Sequence, residues 1–594
     1  MERAKLAFLT LSRIGFLLAF SLLLAACGGG GSDSPAPQAA GATPGSSTGT
    51  QAGATSGSST ASGSDSADSD ETTMLDLSIA FEDVPSTCRE RCGLDYANPI
   101  SQPARFINFE VFDAESGALV ELSSPPQTDQ EGRASIELSR GARVKVRVIA
   151  SSQAERGSVS WDISVRDNQG SSERAQYPLY SVVTDTIVAD SPSLEQSIEL
   201  PSGWLDGAYV NRRDAAPFAV LDRMIRSAEF FAESETNLAL PSLNVFWSVD
   251  NRPDETSIGT SFYADGDLWI LGDADVDTDE FDDHVLAHEW VHYLLDRMSK
   301  DTSTGGAHDL TEFLDARLAY SEGIATALSC LMLNDSVYLD TFGNSQSQGF
   351  GFDCETGSQL AFVPGWFSEA SIIQLIYDIF DDSRDGDADT VNLDRIALAD
   401  VLFGKMVNQD SGTASTIYSF LSGVIEASPQ NEQSILALAD QQAIAVGLSA
   451  VDVLATGETN AGQSTEDGDA SEIASILPLY EPIISGDSAK EVCLTDGFGQ
   501  PNKLGNRRLM RFVIENSGSY RISVNSADPE NGDPDVYVYS GNQLVNLGVS
   551  EQIGTEILDV ELNSGAYWMD VHDYDLLFGE GAGSTCQTVA LDAI

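Results

Sequence analysis

Five residues, His288-Glu289-Trp290-Val291-His292, constrain this chain more than any other stretch of it. Two histidines four positions apart share one face of an α-helix, about 6 Å apart along its axis. Both imidazoles can then reach one metal ion at bonds of about 2.0–2.1 Å. Glu289 is turned about 100° from His288, which suits holding a water and taking its proton better than ligating the metal. The chain has only five histidines. A chance match with Glu in the required slot is on the order of one in a few hundred. His284 extends the row, but it lies about 12 Å from His292 along the axis and cannot share the ion. It reads as a neighbour of the ligands or as a surface residue.

A catalytic metal site needs a third protein ligand and an open position. In the pattern H-E-x-x-H-x-x-G-x-x-H, Gly and the third His would fall at Leu295 and Met298, so that arrangement is excluded. Glu322 is the better third ligand. It sits in a helical apolar pattern of Phe313, Leu314, Leu318, Ile324, Ala325 and Leu328, and Gly323 and Ala325 would let this helix and the motif helix approach closely. His308, in a Gly-rich loop, is the rival ligand. Otherwise it is a substrate or transition-state contact, or a loop-surface residue. Tyr320 reads as an oxyanion donor or as core. Asp296 and Asp315 read as carboxylates that orient the ligand imidazoles, or as surface charges.

Strands are expected at 243–249 and at 261–264 and 267–271, joined by an Asp265-Gly266 turn. Asp277, Thr278 and Asp279 offer N-caps for the motif helix. Helices at about 367–381, 393–408, 413–426 and 431–446 follow it. The motif with Glu322-Gly323-Ile324-Ala325 resembles the gluzincins. That resemblance implies a zinc peptidase acting on protein or peptide, with Zn²⁺ on His288, His292 and Glu322 and with Glu289 as general base. The strand–helix order resembles the upper subdomain of zincins, which implies that 267–271 is the edge strand beside the cleft. The acidic run 381–389 reads as a solvated loop, with Ca²⁺ binding as the alternative.

The expected fold class is multidomain α+β, with a zincin-like domain at 201–450 flanked by two all-β sandwiches. The first sandwich is placed at 74–200, where Arg143-Val144-Lys145-Val146-Arg147-Val148 alternates with period two. The second is placed at 486–594, after a Gly/Ser/Thr/Asp/Glu-rich linker at 451–485. Asp533-Pro534-Asp535-Val536-Tyr537-Val538-Tyr539 makes this last unit resemble the bacterial pre-peptidase C-terminal domain. At the other end, Arg3, Lys5 and Arg13 precede an apolar run too short to favour a membrane span. Leu24-Ala25-Ala26-Cys27-Gly28 resembles the lipobox of bacterial lipoproteins. This implies cleavage after residue 26, lipid on Cys27, and an outer-membrane lipoprotein of the cell envelope. Residues 28–73 read as a flexible tether.

Six further cysteines in an exported chain suggest disulfides. Neighbour pairing gives Cys88–Cys92, Cys330–Cys354 and Cys493–Cys586. The net charge of −61 argues against nucleic-acid binding, which needs a basic footprint. Two functions follow: an exported, lipid-anchored zinc peptidase, or a cell-surface adhesion lipoprotein with a catalytically idle zincin module.

Overall fold

The structure is a computed structural model. It describes residues 72–87, 92–123, 125–210, 212–254, 256–357, 360–381, 391–459, 469–579 and 583–594. The segment expected to carry the signal and Cys27, the tether as far as residue 71, Cys88 and most of the acidic loop (382–390) lie outside the described residues. What is described is a sheet-rich, mixed α+β architecture.

The first sandwich is built around Thr72–Asp83, which buries Leu75, Leu77, Ile79 and Phe81 on one face, as period-two patterning requires. This strand pairs parallel with Ser193–Leu200 and antiparallel with Ile100–Pro103 and Arg133–Ser139. A second sheet holds Phe109–Asp113, Arg143–Ile149, Ser181–Val183 and Ile187–Val188. The boundary expected at residue 200 does not follow the sheets. Ser151–Arg156 and Val159–Arg166 belong to a six-stranded mixed sheet that continues through Leu243–Trp247 and Asp267–Ile270 to Phe262–Ala264. The cause is the parallel pairing of Val159–Arg166 with Leu243–Trp247, a contact between distant segments. One hydrophobic core therefore runs from the first sandwich into the helical region.

The order of this sheet also corrects the edge strand. Asp267–Ile270 lies between Leu243–Trp247 and Phe262–Ala264, so Phe262–Ala264 forms the edge. The turn between those two strands has φ of 54° at Asp265 and 87° at Gly266, as a two-residue primed hairpin turn requires.

Four helices position the site: α1 (Ala216–Glu229), α2 (Asp283–Met298), α3 (Ala316–Leu333) and α4 (Glu369–Phe380). Both α2 and α3 are buried on all sides over most of their length, as central helices are. The N-cap of α2 is Asp282, not 277–279. Asp277–Thr278 instead pairs as a short strand with Gly272–Asp273. The N-cap of α3 is Asp315, whose side chain accepts from the Arg317 amide, and the helix ends at Asn334 with φ 53°. Gly323 faces α4 and not α2, because a Cβ there would lie 2.6 Å from Ile372 Cγ2. Cys330–Cys354 ties the end of α3 to the hairpin Val337–Phe342/Gln348–Asp353.

Of the stretch expected as a linker, 451–485, residues 460–468 lie outside the described residues, and the described parts contribute structure. Glu458 is buried and accepts from Tyr418 Oη at 2.7 Å and the Ala445 amide at 2.9 Å. Asp469–Ile476 is helical, and Tyr480–Pro482 pairs parallel with Arg508–Ile514. The C-terminal sandwich stacks a five-stranded sheet on a four-stranded one around a core of its own. Cys493 and Cys586 are bonded and sit opposite each other on neighbouring strands. No helix among the described residues is long and apolar enough to cross a membrane.

Candidate metal centre

The register of α2 turns His288 and His292 to one side, and α3 brings Glu322 up against them. His288 Nε2 and His292 Nε2 lie 3.0 Å apart, and each is 3.2 Å from Glu322 Oε2. All three side chains are buried. Three ligand atoms this close, two imidazole nitrogens and one carboxylate oxygen, could hold a metal ion and are compatible with zinc.

The far imidazole nitrogens are also held. With Nε2 turned to the cluster, His288 Nδ1–H donates to Thr326 Oγ1 at 3.0 Å. His292 Nδ1 lies 3.4 Å from Ser321 Oγ, which donates to Asp301 Oδ2 at 3.3 Å. These partners fix ring orientation as outer groups around metal ligands do. They are not the expected Asp296 and Asp315. Asp296 accepts from the Tyr263 hydroxyl. Asp315 is committed to the α3 cap and to Arg317 Nη2 at 2.9 Å.

Glu289 is fully buried, and neither of its carboxylate oxygens has an ordinary hydrogen-bond partner among the described residues. Burial pushes its pKa up to about 8, against the lowering influence of His292. Such a carboxyl is poised to hold and release a proton near neutrality. Burial takes His288 down to about 4 and so favours its neutral form. Burial also disfavours the charge on His292, but Glu322 outweighs it and raises that group to about 9. Glu322 is held well below the carboxylate range, since His308 and His292 overcome its burial.

His308 arrives from the loop between α2 and α3. Its Nδ1–H donates to the Gly306 carbonyl at 3.2 Å, and its Nε2 lies 3.5 Å from both Glu322 Oε2 and Glu369 Oε2. It stands beside the three converging groups and is not one of them. Burial opposes its charge, yet Glu322 and Glu369 raise its pKa. Glu369, in the first turn of α4, was missed from the sequence. The available signal was Ser368, an N-cap whose hydroxyl accepts from the Ser371 amide. Burial raises Glu369 to about 7.

Tyr320 does not reach the centre. It is about 200° around α3 from Glu322, packs on Phe420, and buries a hydroxyl that has no hydrogen-bond partner among the described residues. His284 is buried rather than on the surface, with Nε2 3.5 Å from the Asp335 carbonyl and its ring against Tyr338.

The His308 loop is gripped by the C-terminal unit. Asn502 Nδ2 donates to the carbonyls of Gly305 (2.8 Å) and Ala307 (3.1 Å). Lys503 Nζ donates to the Ala307 carbonyl at 2.9 Å and pairs with Glu312 at 2.8 Å. Arg317 on α3 pairs with Asp570 of the sandwich at 2.8 Å, and Arg507 meets the same carboxylate at 3.2 Å.

No protein-family model matches the chain, and no curated protein matches it in sequence. Weak structural neighbours exist. The precursor of protealysin, a metalloproteinase from Serratia proteamaculans, aligns at 11% identity over 48% of this chain and 87% of that one, with a TM-score of 0.27. The pre-peptidase C-terminal domain of a collagenase from Bacillus anthracis aligns at 13% identity over 19% and 93%, with a TM-score of 0.15. PliG, a periplasmic lysozyme inhibitor from Aeromonas hydrophila, aligns at 8% identity over 19% and 98%, with a TM-score of 0.13. Scores this low carry no functional inference.

Proposed function

We propose that this chain is a zinc-dependent peptidase whose metal is held by His288, His292 and Glu322. The observation that carries this reading is the meeting of two imidazole nitrogens and one carboxylate oxygen, all buried, beside a buried Glu289 with no side-chain hydrogen-bond partner among the described residues. A zinc ion there would supply Lewis acidity toward a scissile carbonyl and make water easier to deprotonate.

The chain's own groups do the rest. Glu289 takes a proton from the attacking water and returns it to the leaving amine. His308, whose charged form burial opposes and Glu322 and Glu369 favour, donates from Nε2 toward negative charge developing on the carbonyl oxygen. Phe262–Ala264 offers its outer edge to an extended peptide. The lipobox-like Leu24-Ala25-Ala26-Cys27-Gly28 supports anchoring to the bacterial envelope by lipid on Cys27.

The test is Glu289→Gln in the full chain. The expected result is a full zinc complement with peptide hydrolysis reduced by at least about 10²–10⁴-fold. Undiminished, chelator-sensitive hydrolysis by the zinc-loaded variant would overturn the mechanism. Zinc without hydrolysis in the wild type would favour the adhesion reading.

A further inference from the structure

A second cluster of acids lies outside the centre just described, and no step proposed above uses it. Asp277 and Asp279 precede α2, and Asp340 comes from the strand Val337–Phe342 that follows α3. Ligand oxygens of these three carboxylates lie within 4.8 Å of one another. Asp279 is 3% exposed and Asp340 7%.

The partners of this cluster are incomplete. Asp279 accepts from Ser261 Oγ. Asp277 and Asp279 share a hydrogen bond between their carboxyl groups, and the buried Asp277 Oδ1 atom has no hydrogen-bond partner among the described residues. Among the same residues, Asp340 has neither a side-chain hydrogen bond nor a cationic partner, though it is more than nine-tenths buried and aimed into the cluster. The neighbouring groups are already committed. Asp282 accepts from the Thr341 amide and hydroxyl, and Arg213 pairs with Glu280 at 2.8 Å. Three clustered carboxylates, two of them buried, with no positive charge among them are costly to ionise unless a cation enters; without one, burial raises their pKa values and favours the protonated forms.

We propose that Asp277, Asp279 and Asp340 form a second metal site for a hard divalent cation, calcium. All-oxygen donors select calcium or magnesium over zinc. Three protein carboxylates in a buried site favour calcium, since magnesium keeps most of its water and uses one or two carboxylates. The ion ties the entry of α2 to the hairpin beyond α3. It thereby braces the two helices that carry His288, His292 and Glu322. This role is independent of what the first centre catalyses.

The experiment uses the full chain, passed over a chelating resin and reloaded with one equivalent of zinc. CaCl2 is then titrated, with MgCl2 in parallel, while bound calcium and Tm are followed. The expected result is saturable calcium binding with a Tm rise of roughly 5 °C at a hundredfold excess over Kd, which magnesium at equal concentration does not reproduce. Asp340→Asn should lose one equivalent of bound calcium and most of the Tm rise while keeping its zinc. Asp277→Asn provides the same test if Asp340→Asn does not fold. In calcium-free buffer, a folded Asn variant should match or exceed the wild-type Tm, because a repelling charge is gone. Calcium binding and Tm response unchanged in both variants would overturn the proposal. So would an Asn variant whose Tm falls equally with and without calcium, since the acids would then be structural alone.

Discussion

At the residue scale, the centre depends on protons as much as on ligand positions. His292, raised to about 9, and Glu289, raised to about 8, both carry a proton at pH 7.5 before metal arrives. A ligand imidazole must be neutral at the ligating nitrogen. Zinc loading should therefore release about 1–2 protons per ion, and affinity should rise with pH up to about 9. Calorimetry in two buffers of different ionisation enthalpy measures this, and zero release would contradict the assignment. His288, already neutral with a pKa of about 4, contributes nothing to that count. The hydrogen bond from His288 Nδ1 to Thr326 is separately testable. Thr326→Val should weaken zinc binding roughly 10–100-fold, read by competition with a chromogenic chelator. His288, Glu289 and His292 were legible in the sequence because helix geometry alone sets their relation. Thr326, Ser321 and Asp301 were not, because only the packing of α3 on α2 brings them to the rings.

At the element scale, the close seat of α3 on α4 is the feature most open to disruption. A Cβ on Gly323 would meet Ile372 Cγ2 at 2.6 Å and the Glu369 carbonyl at 3.2 Å. Gly323→Ala should cost about 1–3 kcal/mol by overpacking, read as a lower denaturation midpoint. Because Glu322 precedes that position and Glu369 begins α4, zinc affinity should fall as well. Wild-type stability in this variant would show that the two helices yield easily. The sequence led to Gly323 for the right reason, small size at a helix crossing, but not to the right partner, since a helical face does not name its neighbour. Likewise, the Asp265-Gly266 turn located the two strands beside it, but the edge position depends on which strand pairs with Leu243–Trp247.

At the scale of the whole molecule, the C-terminal sandwich acts as part of the site's scaffold. Asn502 and Lys503 fasten the loop that carries His308, and Arg317 and Asp570 join α3 to the sandwich. Asn502→Ala should leave zinc content intact, lower kcat/KM roughly 10–100-fold through a displaced His308, and speed amide exchange across 301–312. Unchanged turnover and exchange would reduce the sandwich to an appendage. Composition signalled two β regions but not this clamp, because nothing in a strand pattern shows where its loops dock. For the same reason residues 151–166, 451–459 and 469–485 joined units the sequence did not assign them to. All of these parts converge on one shared point, and anomalous diffraction at the zinc edge from crystals of the full chain tests it most directly. The expected result is one strong peak bonded to His288 Nε2, His292 Nε2 and a Glu322 oxygen at about 2.0–2.2 Å. No peak there, or one ligated by His308 in place of Glu322, would contradict it.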